Sequence, residues 1–139
     1  MAIEMRALPI RHLQQPDDSS CGPTCFAMLN GLSVAEAKQK MFGNGERQIW
    51  YTDWPRMRKA FEQSDLVLGR SERASSWDKI SGLALVLCGA PGRMDDVSTH
   101  WVIYDPRELP TVFDPALDGP TPAQLRHTRL RSFALIMDA

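Results

Sequence analysis

Pro23, inside the stretch "QQPDDSSCGPTCFAMLNG" at residues 14–31, fixes where the first helix of this chain can start. A proline has no N–H to donate and its ring clashes with the preceding turn, so it is tolerated only in a first turn. The apolar run behind it is helical and closes at Asn30-Gly31. The helix therefore begins near residue 21. Cys21 lies at its N-terminus, and Cys25 lies one turn inside.

Further helices follow. "LSVAEAKQKMFGNG" opens on a capping box of Ser33 and Glu36 and stops at Gly43. "TDWPRMRKAFEQ" is capped by Thr52 or Asp53, takes Pro55 in its first turn, and repeats Trp54, Met57 and Phe61 at helical spacing. "SSWDKI" reads as one helical turn. Beyond residue 82 the pattern changes to short apolar runs rich in β-branched and aromatic residues: "LALVLCGA", "HWVIYD", "TVFD" and "SFALIMD". These read as strands. "TPAQLRH" between the last two reads as a short helix with Thr121 and Gln124 as a capping pair, and residues 5–12 as a weak edge strand. Helices first and strands later predict an α+β fold with a mostly antiparallel sheet. At 139 residues a single domain, 1–139, is expected.

Composition excludes several classes. The chain is 43% hydrophobic and 24% charged, with a formal net charge of -1. That balance supplies no electrostatic reason for nucleic acid binding. No window of 18 consecutive apolar residues occurs, and "MAIEMRALPI" lacks a signal-peptide core, so a cytoplasmic chain is expected unless a specialised apparatus exports it. Three cysteines, an odd number, argue against a disulfide framework. A metal clip needs four ligands, and the lone C-x3-C has no second pair. Cys88, in "LALVLCGA", reads as a buried small hydrophobe.

The remaining reading of Cys21 is a nucleophile. Free N–H groups and the positive end of the helix dipole favour a thiolate at that position. Gly22 would let the backbone approach a substrate carbonyl. A thiolate needs a base, and the base an orienting group. His100 opens "HWVIYD" and Asp114 ends "TVFD". If these runs form a hairpin whose facing positions sum to roughly 214, His100 lies opposite Asp114. Trp101 then faces away from His100. His12 and His127 read as surface residues. Trp50, Tyr51 and Trp54 either line a substrate groove or pack on the helices, with packing favoured for Trp54.

With these residues assembled, "QQPDDSSCGPTC", "THWVIYDP" and "VFDPALDGP" resemble the signature blocks of the double-glycine leader peptidases, papain-like cysteine peptidases known as N-terminal domains of bacteriocin-exporting transporters. The resemblance covers almost the whole chain. It implies the papain-like fold, Cys21 as nucleophile, Gln15 as the oxyanion-hole side chain, His100 as base and Asp114 as orienting acid, with no cofactor. It implies a peptide or protein substrate and a transporter as a partner. Thr99 stands where the family often has Gly. The loop "GAPGRMDDVST" before His100 suits a mobile rim of the site. No transporter sequence follows Ala139, so a free-standing domain is expected. Cleavage of a peptide bond after a Gly-Gly-like sequence, deamidation of a protein glutamine by a toxin or effector, and a non-catalytic peptide-binding module all remain open at this point.

Overall fold

The computed structural model describes residues 9–45, 49–89, 99–126 and 128–138. Helix α1 is Cys21–Asn30, α2 is Val34–Phe42 and α3 is Trp54–Phe61. The strands are β1 (Leu66–Leu68), β2 (Glu72–Arg73), β3 (Ala84–Gly89), β4 (Thr99–Asp105), β5 (Thr111–Phe113), β6 (Thr121–Pro122) and β7 (Leu130–Asp138).

Local chemistry accounts for the helix ends. Helix α1 starts at Cys21 with Pro23 in its first turn, and Gly31 closes it at φ 66, a left-handed backbone that suits glycine. Ser33 and Glu36 form the expected reciprocal capping box on α2, and Gly43 ends it at φ 83. Asp53 caps α3 by accepting from the Arg56 N–H at 2.9 Å. "SSWDKI" supplies a single 3-10 turn, Trp77–Lys79.

The strands form one antiparallel sheet in the order β1-β7-β3-β4-β5-β6, with β2 also paired to β7. Alternation along the central strands divides the core in two. Leu85, Trp101, Ile103 and Ile136 face the helices and pack on Cys25, Phe26, Leu29, Met57 and Phe61. Ala84, Val86, Val102, Tyr104, Val112 and Phe133 form a second cluster on the opposite face, with Ile80 and Ala123. The α+β fold with helices on a mostly antiparallel sheet is thus the one expected.

Some expectations require correction. Residues 9–12 carry no strand; residues 1–8 lie outside the described residues. In "TPAQLRH", Thr121–Pro122 is strand β6, and the helical piece shrinks to a 3-10 turn at Ala123–Leu125. No side chain caps that turn, because Thr121 is held in the β5–β6 ladder opposite Val112. The hairpin register also differs. Ile103 pairs with Phe113, Tyr104 with Val112 and Asp105 with Thr111, so facing positions sum to 216. A slip of two positions preserves the face that each side chain occupies, whereas a slip of one would have reversed it. Continued, this ladder puts Asp114 level with Val102, one diagonal step from His100 on the same face.

Candidate active site

The N-terminus of α1 is left uncapped. Ser20 precedes the helix, but its hydroxyl donates to the Asp17 carbonyl at 3.3 Å and makes no cap bond. Pro23 has no N–H, and the first helical bond is Thr24 N–H to the Ser20 carbonyl at 3.0 Å. The backbone N–H groups of Cys21 and Gly22 therefore stand ahead of the helical ladder, as helix geometry requires. This terminus is a place where negative charge is favoured.

The loop ahead of it is pinned from several sides. Asp17 accepts from the Ser19 N–H at 3.1 Å and pairs with Lys38 of α2 at 2.9 Å. Burial would raise the Asp17 carboxyl, but Lys38 and the serine donors outweigh it and lower its pKa. The Ser19 hydroxyl accepts from the Trp50 N–H at 2.9 Å. The Gln15 N–H donates to the Pro115 carbonyl at 2.7 Å, tying this loop to the residue after Asp114. The Gln15 side-chain Nε2 donates to the Asp17 carbonyl at 2.7 Å, and its Oε1 is buried without a partner. A carbonyl can only accept, so the nitrogen must face it. One N–H of that amide remains for another acceptor.

His100 enters from the start of β4 and is 5% exposed. Its Nε2 donates to Asp114 Oδ1 at 2.6 Å. The Cys21 thiol is near enough to act on the imidazole electrostatically; with Nε2 committed to the carboxylate, Nδ1 is the nitrogen left for it. Burial pulls the imidazole pKa down. The hydrogen bond to Asp114 and the nearby Cys21 sulfur outweigh burial and push it up to about 9. Trp101, the next residue, points to the helix side, donates to the Thr52 carbonyl at 2.9 Å and packs edge-on against Trp54.

Asp114 is 1% exposed. Its Oδ1 also accepts from the Ala116 N–H at 2.9 Å, and its Oδ2 is paired with Arg126. Burial would push its carboxyl up, but the His100 hydrogen bond and charge, the Ala116 N–H and the Arg126 guanidinium together lower it. Arg126 was not legible as a site residue. It sits in "QLRHTRLR", which reads as a solvated basic stretch, and only the return of the chain after β6 carries it to Asp114.

The other sequence candidates fall as follows. Cys25 is fully buried under α1, and Cys88 is 1% exposed on β3 directly opposite His100. Burial raises the Cys25 thiol well above its ordinary value and pushes Cys88 up to about 12. All three cysteines are free. Trp54 packs on Trp101 and donates to the Ser132 hydroxyl at 2.9 Å, whereas Tyr51 is 73% exposed. His12 is half-buried: its Nε2 donates to the Leu117 carbonyl at 2.7 Å and its ring stacks on Phe113. His127 and residues 90–98, most of the loop before His100, lie outside the described residues.

Gly22 serves packing. A Cβ there would stand 2.4 Å from Thr52 Oγ1 and 2.6 Å from Thr52 Cβ. Thr52 in turn accepts the Trp101 indole N–H through its carbonyl. Gly22→Ala is expected to cost about 1–3 kcal/mol of stability by overpacking, read as a lowered Tm. An unchanged Tm would show that Thr52 gives way freely. The thiols make a second expectation. Iodoacetamide should label Cys21 at least about tenfold faster than Cys25 or Cys88, since buried thiols with raised pKa values are inert. Peptide mapping after brief exposure checks this, and preferential labelling of Cys88 would contradict it.

No protein-family model matches this chain, and no curated protein matches it. Among solved structures it is similar to the crystal structure of a double glycine motif protease from an AMS/PCAT transporter in complex with the leader peptide, with a TM-score of 0.67 and 12% sequence identity over 99% of this chain and 97% of that one. The chain therefore shares the fold of that protease, the papain-like peptidase fold expected from its sequence blocks.

Proposed function

We propose that the chain is a cysteine peptidase that cleaves a peptide bond in a peptide or protein substrate through Cys21, His100, Asp114 and Gln15. The observation that carries this reading is the buried His100–Asp114 pair, with Nε2 donating to the carboxylate at 2.6 Å, together with Cys21 at an uncapped helix N-terminus, near enough to raise the imidazole pKa. Papain-like fold similarity to a protease supports the same class.

Each residue has a defined task in this reading. His100 takes the Cys21 proton, and the sulfur attacks the scissile carbonyl carbon. The carbonyl π electrons move to oxygen, and the oxyanion is met by the Cys21 N–H and by the uncommitted N–H of Gln15 Nε2. His100 then gives its proton to the leaving amine as the C–N bond breaks, which leaves an acyl-enzyme. Water, deprotonated by His100, attacks the thioester and releases the new carboxylate and the thiol. Asp114 keeps the Nε2 proton in place throughout and supports the cation. The Asp17 carbonyl orients the Gln15 amide, and the Pro115 carbonyl holds its backbone.

A Gly-Gly-like leader junction is the substrate this reading favours, because the protease of like fold was crystallised with a leader peptide. Such a substrate fits a chain in the cytoplasm, with a transporter as the downstream partner. Among the described residues no helix is long and apolar enough to cross a membrane. Intact-mass analysis of a synthetic peptide with one internal Gly-Gly, before and after incubation, tests the proposal. Two fragments whose masses sum to the peptide plus one water are expected. A gain of one mass unit without shortening would mean deamidation, and an unchanged mass across a panel of such peptides would overturn the catalytic reading. Gln15→Ala should lower kcat by roughly two to three orders of magnitude, as loss of one oxyanion donor does, with little change in Tm. A Gln15→Ala variant of full activity would remove Gln15 from the oxyanion site.

A further inference from the structure

A groove of about 570 Å³ opens beside β7, lined by Arg73, Ala74, Ser75, Arg129, Leu130 and Arg131. Among the described residues that line it, three of six are arginines and none is acidic. Arg73 and Ser75 are exposed, Arg131 is half-buried, and the Arg131 Nε is buried without a hydrogen-bond partner. An unpartnered guanidinium N–H in such a setting has unmet hydrogen-bonding capacity. The floor is apolar, formed by Ala74 and Leu130 of the second core cluster.

The groove lies at the catalytic end of the sheet. Leu130 pairs with Cys88, and Cys88 pairs with His100, so the three residues form one row across β7, β3 and β4. Two inter-strand steps place Leu130 about 10 Å from His100, backbone to backbone. The Cys88 thiol, between them, donates to the His100 carbonyl at 3.3 Å. An extended peptide covers about 10 Å in three residues, so a substrate held at Cys21 reaches the groove within a few residues of the scissile bond.

We propose that the Arg73–Arg129–Arg131 groove is a carboxylate subsite that takes an acidic side chain of the peptide substrate, about three to five residues from the bond presented to Cys21. Guanidinium forks match carboxylates in a two-point geometry, so the groove selects Asp or Glu over the neutral amides. The inference rests on the peptidase reading above, but binding and cleavage report on it separately.

The test uses two fluorescein-labelled dodecapeptides of Ala, Leu and Ser with one Gly-Gly. One carries Glu-Glu four and five residues before the scissile bond, and its twin carries Gln-Gln. Anisotropy titrations with the Cys21→Ala protein at low salt should show the Glu peptide binding at least about tenfold more tightly, a preference that fades at high salt as charges are screened. Arg73→Glu with Arg131→Glu should abolish or invert it. Arg73→Glu alone, at an exposed position that leaves folding intact, should reduce it at least about threefold, as a lost charge contact does. Equal affinity for the two peptides, including no measurable binding of either, overturns the subsite, as does a preference that survives both variants. If the unmodified protein binds the Glu peptide selectively but cleaves neither, the subsite stands and the catalytic reading falls. If it cleaves both with the same kcat/KM and binds both alike, the reverse holds.

Discussion

Cys21→Ala is expected to abolish hydrolysis, a fall of about four to six orders of magnitude in kcat, because no other described group at the site can form the covalent intermediate. The same change should cost little stability, about 1 kcal/mol or less. Cys21 is 7% exposed and belongs to the helix-side core cluster, but the change removes only a single sulfur atom at the helix start. Cys25→Ala separates the two sulfurs. Cys25 is fully buried among the side chains between α1 and the sheet, so its loss leaves a small cavity worth about 1–2 kcal/mol. Its activity at low temperature should persist, because its thiol lies inside the helix and away from the imidazole. Thermal melts run beside turnover assays distinguish the pair. An active Cys21→Ala with an inactive, undiminished-Tm Cys25→Ala would mean that the wrong sulfur has been assigned.

The difference between those two cysteines was legible in one residue. Pro23 dictates the helix start, and with it which sulfur lies at the open end and which is carried inward. The capping box at Ser33 and the cap at Asp53 were equally local and equally legible. Strands β1, β2 and β6 were not. They are two or three residues long, too short to show a period, and each exists because a longer neighbour offers an edge: β7 for β1 and β2, β5 for β6. The hairpin register was legible in parity but not in absolute value. Alternation fixes which face a side chain takes, while the five residues between Asp105 and Thr111 set where the ladder closes. Arg126 was hidden for a stronger reason. Its role depends on a contact twelve residues away made across strand β6 and a 3-10 turn, and nothing in its neighbours differs from an exposed basic stretch. Thr52 against Gly22 is of the same kind, a packing relation between a loop and the first turn of α1 with no local signature.

Asp114→Asn should show how far the imidazole depends on its carboxylate. The substitution keeps the shape but removes the charge that faces His100 and Arg126. An opposite charge at this range shifts a pKa by about 1–3 units, so the His100 pKa should fall from about 9 by at least about one unit. The alkaline limb of kcat/KM, which reports the free enzyme, should move down with it. Turnover at neutral pH should drop by about two to four orders of magnitude, because an amide can present its NH2 to the ring and fix the wrong tautomer. Stability should fall by about 3 kcal/mol, since a buried guanidinium and imidazolium lose their counter-charge. That loss is pH-dependent in a defined sense. The His100 pKa is raised from 6.5 to about 9, so its share of stability is full below pH 6.5 and is lost as pH rises through 9. The Asp114 pKa is lowered from 3.8, so its share is present above 3.8 and is lost as pH falls through the lowered value. The gap between the parent and Asp114→Asn should therefore be widest between pH 3.8 and 6.5. It should narrow toward pH 10 without closing, because the Arg126–Asp114 pair of the parent outlasts the imidazolium. Denaturant melts at pH 5, 7 and 10 measure it. A gap that stays constant from pH 5 to pH 10, together with an unmoved alkaline limb, would mean that Asp114 supports the fold through Arg126 and Ala116 and leaves the imidazole's charge untouched.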